Sequence, residues 1–123
     1  MTATDKDNAA IEAAVRDYLD GMVFGDERKL RRAFHPDARI IGHFNGVLEW
    51  STVGEFAAAC SAAQTPSPGT NYFWQIRSLE IEGDTAVVEV VDEYLGIHFT
   101  DWLSFLRHDG RWVIVNKLFY AHP

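Results

Sequence analysis

The order of elements predicts an α+β fold in a single domain spanning residues 1–123. Helical patterning is confined to the first half of the chain, and everything after about residue 72 is strand-like and punctuated by short glycine turns. The length of 123 residues, with 47% hydrophobic and 13% aromatic content, supplies one core and is too short for two.

Taken in order, residues 1–8 are polar and acidic and are expected to be flexible. Residues 9–24 place Ile11, Val15, Tyr18, Leu19, Met22 and Val23 at helical spacing, with Glu12, Arg16, Asp17 and Asp20 between them. Gly25 supplies a stop, and Asp26 an N-cap for a second helix reaching about Phe34. His35-Pro36-Asp37 ends that helix, because the residue before a proline is pushed out of the α region; His35 reads as a C-terminal cap rather than a catalyst.

Ala38 to Phe44 reads as a strand, Asn45-Gly46 as a tight turn and Val47 to Trp50 as the return strand. Ser51 or Thr52 can cap a third helix running to about Ala63, with Glu55 completing a capping box from Thr52. Gln64 to Asn71, holding Pro66, Pro68 and Gly69, is a loop. Four strands follow: Tyr72 to Glu82, Thr85 to Leu95, Ile97 to Arg107 and Arg111 to Tyr120. Gly83-Asp84 joins the first two strands, and His108-Asp109-Gly110 reads as a three-residue loop with glycine in the left-handed position of a bulge.

Composition removes several function classes. A net charge of −7 repels a phosphate backbone, and the one basic run, Arg28 to Arg32, has the helical spacing of a solvated face, so no nucleic acid is expected. The single cysteine, Cys60, excludes an internal disulfide framework and fits a buried small hydrophobe in a reducing compartment. No apolar run approaches the ~18 residues that span a bilayer, so a cytoplasmic protein without a membrane partner is expected. No compact His, Asp or Glu spacing suggests a metal, and no glycine-rich phosphate loop, nucleophile elbow or Cys-His dyad is evident, so no cofactor is expected.

The stretch Tyr18 to Asp26, with Phe34-His35-Pro36-Asp37-Ala38 and this element order, resembles the nuclear-transport-factor-2-like superfamily over nearly the whole chain. Within it, Thr100 to Leu106, then Asp109-Gly110-Arg111-Trp112 and Asn116 to Phe119, is similar to the branch labelled putative lumazine-binding. The resemblance implies a cone-shaped roll, in which three N-terminal helices pack in the concave face of a strongly curved, mostly antiparallel sheet around one apolar pocket. It also implies a homodimer packed through the outer sheet face, and it leaves function open, since the fold hosts isomerases, dehydratases, cyclases and non-catalytic binding modules.

Ketosteroid isomerase, a member of that superfamily, holds a helix tyrosine, a carboxylate base and a protonated strand aspartate in its pocket. Carried onto this chain, the tyrosine falls on Tyr18, the strand aspartate on Asp101 and the base on Gly42, which cannot take up a proton. Neighbouring His43 is titratable, but strand alternation turns it to the opposite face unless a bulge intervenes.

Asp101 also stands out without the resemblance. The alternation Ile97, Phe99, Asp101, Leu103, Phe105 sets an acid on an otherwise apolar face, where it must be paired, hydrogen-bonded or neutral. A three-residue loop would put Asp101 opposite Lys117, as a structural ion pair or a ligand anchor, and one residue of slip would bring Asn116 to that face instead.

The candidate catalytic residues are therefore Asp101, Tyr18 and His43, and the candidate pocket residues are Phe44, Trp50, Phe73, Tyr94, Lys117 and Phe119. Three functions compete: binding of a small hydrophobic ligand; cofactor-free isomerisation, dehydration or cyclisation of a hydrophobic carbonyl compound; and protein interaction through an outer face bearing Trp74, Ile76, Val87, Val91 and Trp102.

Overall fold

A computed structural model describes residues 4–123. Three helices, α1 (Asp5–Phe24), α2 (Glu27–Ala33) and α3 (Val53–Ala62), pack on one face of a six-stranded sheet. The strands are β1 (Phe34–Phe44), β2 (Val47–Thr52), β3 (Trp74–Glu82), β4 (Thr85–Tyr94), β5 (Ile97–His108) and β6 (Arg111–Ala121), in the spatial order β2-β1-β6-β5-β4-β3. All neighbours are antiparallel except β1 and β6, so the sheet is mostly antiparallel, as expected.

Helix α1 begins earlier than its apolar periodicity suggests. Thr4 caps it, accepting from the Asp7 amide at 3.1 Å, while the Asp7 side chain returns to the Thr4 amide. Residues 5–8 therefore belong to the helix rather than to a flexible arm, and residues 1–3 of that arm lie outside the described residues. Thr52 and Glu55 make the same reciprocal box at the start of α3.

The second helix ends at Phe34 as expected, but β1 starts there rather than at Ala38 and carries Pro36 through an irregular stretch of its pairing with β6. His35 does not cap the helix: its Nδ1 accepts from the Asp37 amide at 3.0 Å.

The β5-β6 register departs from expectation twice. The loop is the two-residue turn Asp109-Gly110, both at positive φ, so His108 pairs with Arg111. A bulge then follows, with Ser104 opposite Asn116 but Phe105 opposite Ile114, leaving Val115 as the extra residue. Asp101 consequently lies opposite Phe119, and Lys117 opposite Leu103. Each departure alone would flip the faces; together they shift β6 by two, so Lys117 still points inward.

The core runs between the helices and the inner face, from Ile11, Val15, Leu19 and Leu30 to Val88, Val90, Leu103 and Ile114. Along the outer face, one row in register carries Trp50, Ile41, Leu118 and Trp102, and a second carries Leu48, His43 and Tyr120.

Candidate functional site

Four polar side chains are buried on the inward side of β4, β5, β6 and α1. Asp92 follows Ala86, Val88 and Val90 on the inner face of β4; Asp101 sits on β5, Lys117 on β6, and Tyr18 on the inward stripe of α1. Asp101 and Tyr18 are fully buried, Asp92 is 1% exposed and Lys117 is 4% exposed. Burying this much polarity among apolar groups costs stability unless the groups satisfy one another.

The Tyr18 hydroxyl donates to Asp101 Oδ2 at 2.7 Å and contacts Met22 Sδ at 3.6 Å. Burial, then the Asp101 charge beside it, pushes the phenol well above its ordinary value, so it is a donor at every physiological pH.

Asp92 has Val90 as its inward neighbour on β4, which pairs with Asp101, so the two carboxyls are diagonal neighbours on one face. Burial, reinforced by the hydrogen bond and charge of Asp101, raises Asp92 to about 10, and Lys117 opposes the shift. At neutral pH Asp92 therefore holds a proton that it can offer to Asp101. Among the described residues both oxygens of Asp92 and Oδ1 of Asp101 have no hydrogen-bond partner, and a proton on Asp92 relieves the repulsion between two adjacent carboxyls.

Lys117 is the other half of the cluster, and it makes no ion pair with the acids. Among the described residues no carboxylate oxygen lies within 4.0 Å of its Nζ. The nitrogen lies instead over three rings, 4.6 Å from the centroid of Phe56, 4.7 Å from Tyr18 and 5.2 Å from Phe119, with Met22 Sδ at 3.8 Å. Aromatic faces attract a cation, and a thioether is only a weak acceptor, so the ammonium is accommodated without strong hydrogen bonds.

That side chain lines a cavity of about 240 Å³ between α3 and the sheet. Met22, Phe56, Phe99 and Phe119 join Lys117 in its walls, Phe44 and Tyr94 flank them, and the exposed Leu95 lies at the rim. Phe44 stacks on Phe99 at 6.1 Å and 12°, and Phe119 meets Phe99 edge-on. The other polar lining residues are Glu49, Ser51 and Cys60, and burial raises the Cys60 thiol above its ordinary range. Tyr18, Asp92 and Asp101 do not line the cavity; they lie behind Lys117 and Met22.

The structure divides the expected site residues. Phe44, Tyr94, Lys117 and Phe119 share the cavity, and Tyr18 and Asp101 share a hydrogen bond beneath it. The expected facing pair of Asp101 and Lys117 is replaced by a diagonal placement with no ion pair, because the turn and the bulge move the register.

His43, Trp50 and Phe73 lie elsewhere. His43 is exposed on the outer face, as alternation from the inward Gly42 requires. Trp50 is 64% exposed on the same face, since its partner across the ladder is Ile41. Phe73 precedes β3 and lines a larger, open groove of about 620 Å³ under residues 64–73, which none of the buried acids or Lys117 reaches. On the outer face, Val87 and Trp102 are exposed as expected, but Trp74 and Ile76 pack against the core.

Asp92 escaped the sequence reading although it carries the same signal as Asp101, an acid continuing an apolar alternation.

Gly42 is buried against Phe119: a Cβ there would stand 2.6 Å from the Phe119 carbonyl oxygen and 2.7 Å from its ring. The place of a carboxylate base is thus filled by a phenyl group. Among the described residues no group of three His, Cys, Asp or Glu is placed to hold a metal, and no helix is long and apolar enough to cross a membrane.

Comparison with known proteins follows the same lines. The family described as "Putative lumazine-binding" matches residues 6–120. A nuclear-transport-factor-2-like protein of unknown function from Silicibacter pomeroyi DSS-3 is 35% identical, with a TM-score of 0.91 over 98% of this chain and 100% of that one. A ketosteroid isomerase-like protein from Erwinia carotovora atroseptica, at 15% identity and a TM-score of 0.71 over 98% of this chain and 99% of its own, shares the fold. The aldolase FrzH of a Cladobotryum species is 26% identical over 122 residues, 98% of this chain and 95% of that protein. The chain is therefore a member of the putative lumazine-binding family, with the nuclear-transport-factor-2-like fold.

Proposed function

We propose that the chain binds a small apolar molecule with a polarised oxygen, such as a ketone or aldehyde, in the cavity under α3. The observation that carries this reading is the placement of Lys117, a buried cation without a carboxylate partner, in the wall of an otherwise largely aromatic cavity. A ligand oxygen directed at Nζ would supply the acceptor that the protein withholds, while Phe44, Phe99 and Phe119 take the apolar body. A volume of about 240 Å³ limits the ligand to a compact, roughly one-ring molecule.

Ala59 gives a clean test, because it is exposed on α3 yet lines the cavity, so a larger side chain there fills the space without entering the core. Saturation-transfer NMR with acetophenone should show binding to the wild type and none to Ala59→Trp. Equal transfer to both proteins would refute the reading.

A catalytic version is supported by the buried carboxyl pair and by the likeness to a protein named as an aldolase. In it, Lys117, the polar group of the cluster that reaches the cavity, acts on a carbonyl compound undergoing enolisation or carbon–carbon bond chemistry without a cofactor, and Tyr18, Asp92 and Asp101 support it from behind. The outward row Trp50, Ile41, Leu118, Trp102 is proposed as the face on which a second copy of the chain packs.

A further inference from the structure

We propose that Lys117 is a nucleophilic amine that captures the carbonyl of an aldehyde or ketone in this cavity as an iminium. The inference rests on the binding reading above and adds a covalent step to it. A lysine kept for structure would be expected to reach a carboxylate, and Asp101 stands one diagonal away on the same sheet face. Nζ lies instead among the rings of Tyr18, Phe56 and Phe119, on the cavity side, where among the described residues its one hydrogen-bonding contact is the Met22 thioether. Its nitrogen is thus available to a ligand and shielded from bulk water, the setting in which lysines form Schiff bases.

The step balances without any co-reactant. The ammonium nitrogen passes one proton to the carbonyl oxygen, and its freed lone pair forms the C–N bond while the carbonyl π electrons move to that oxygen. The oxygen takes up two protons in all, both from nitrogen, and leaves as water. Nitrogen ends with one proton, a double bond to carbon and the positive charge with which it began. Because the charge is conserved at one atom, the rings that hold the ammonium also hold the iminium.

The sequence makes the test unusually clean: Lys6, Lys29 and Lys117 are the three lysines of the chain. Lys6 is exposed, and Lys29 is a surface residue 3.5 Å from Asp20. The wild-type protein is incubated with benzaldehyde and cyanoborohydride, which reduces an iminium to a stable secondary amine, and the adduct is located by peptide mass spectrometry. A single benzyl group on Lys117, formed about tenfold faster than on Lys6 or Lys29, is expected from the positioning of the carbonyl in the cavity.

Saturation transfer to benzaldehyde without reductant separates the two claims. Binding with no adduct at Lys117 overturns the covalent step and leaves the pocket, whereas no binding overturns both. Adducts spread evenly over the three lysines also overturn it. Lys117→Arg should bind benzaldehyde and form no adduct in the cavity. Should that variant fail to fold, Ala59→Trp, which keeps the lysine and blocks its access, should lose the Lys117 adduct selectively; persistence of the adduct there would overturn the proposal.

Discussion

Asp101 and Trp102 are adjacent on β5 and face opposite ways, and each inverts the usual rule of burial: the acid is 0% exposed and the indole 40%. Around Asp101 the inner face gathers Asp92, Lys117 and Tyr18, whereas around Trp102 the outer face gathers Leu118, Ile41 and Trp50. The inner inversion is held in place by a tyrosine donor on Asp101 and by three aromatic faces around Lys117. Among the described residues nothing covers the outer one. Changes inside should therefore register in stability and chemistry, and changes outside in association.

The largest contrast should come from Asp101→Ala against Trp102→Ala. Removing the carboxyl leaves Tyr18 without its acceptor and Lys117 without a nearby counter-charge, which should cost about 3 kcal/mol or more in urea unfolding. Truncating Trp102 should cost about 0.5 kcal/mol in the monomer. Similar losses at both positions would mean that the inner cluster is not a connected unit.

The next effect is one of pH. Burial pushes the Asp92 carboxyl from its ordinary 3.8 up to about 10, so folding carries a proton that the unfolded chain releases. Its contribution is fully present below about pH 4 and is lost as pH rises toward about 10, by at most ~1.4 kcal/mol per unit. Asp92→Asn keeps a donor for Asp101 without the proton. Its stability should match the wild type near pH 5 and exceed it by about 2 kcal/mol near pH 6.5, read from urea midpoints at each pH. Parallel curves would show that Asp92 is ionised in the fold.

Tyr18→Phe should cost less, about 1 to 2 kcal/mol, because a single hydrogen bond is lost while the ring remains under Lys117. The smallest folding effect belongs outside: Trp50→Ser with Trp102→Ser should leave the monomer's stability within about 0.5 kcal/mol. Sedimentation velocity on that pair should nevertheless show a shift toward monomer relative to wild type. A wild type that already sediments as a monomer would refute the packing of a second copy there.

How much of this was legible in the sequence depends on which physical signal was local. The box of Thr52 and Glu55 lies within three residues and was read directly; the matching box of Thr4 and Asp7 was as local but was masked by the polar run that follows it. Parity along a strand was legible too, which is why His43 was expected outside and Asp101 inside.

The diagonal relation of Asp101 to Lys117 was not, since it depends on a turn one residue shorter than expected and on an extra residue at Val115. Neither leaves a mark in the hydrophobic pattern, and their effects on facing cancel. Trp50 and Phe73 show the complementary failure: an aromatic residue announces a hydrophobic payload but not the face that receives it. Asp92 needed no tertiary knowledge, only the alternation test that had singled out Asp101 applied one strand earlier.

Gly42 bears on what this scaffold can become. A carboxylate at position 42 cannot be gained by one substitution, because Phe119 occupies the space and its backbone oxygen closes it. Shrinking Phe119 removes one of the three rings around the Lys117 nitrogen and leaves the backbone oxygen where it is. The two arrangements are therefore separated by a shift of the β1–β6 backbone as well as by side-chain changes, and a lineage committed to the aromatic wall is held there by the geometry of one glycine.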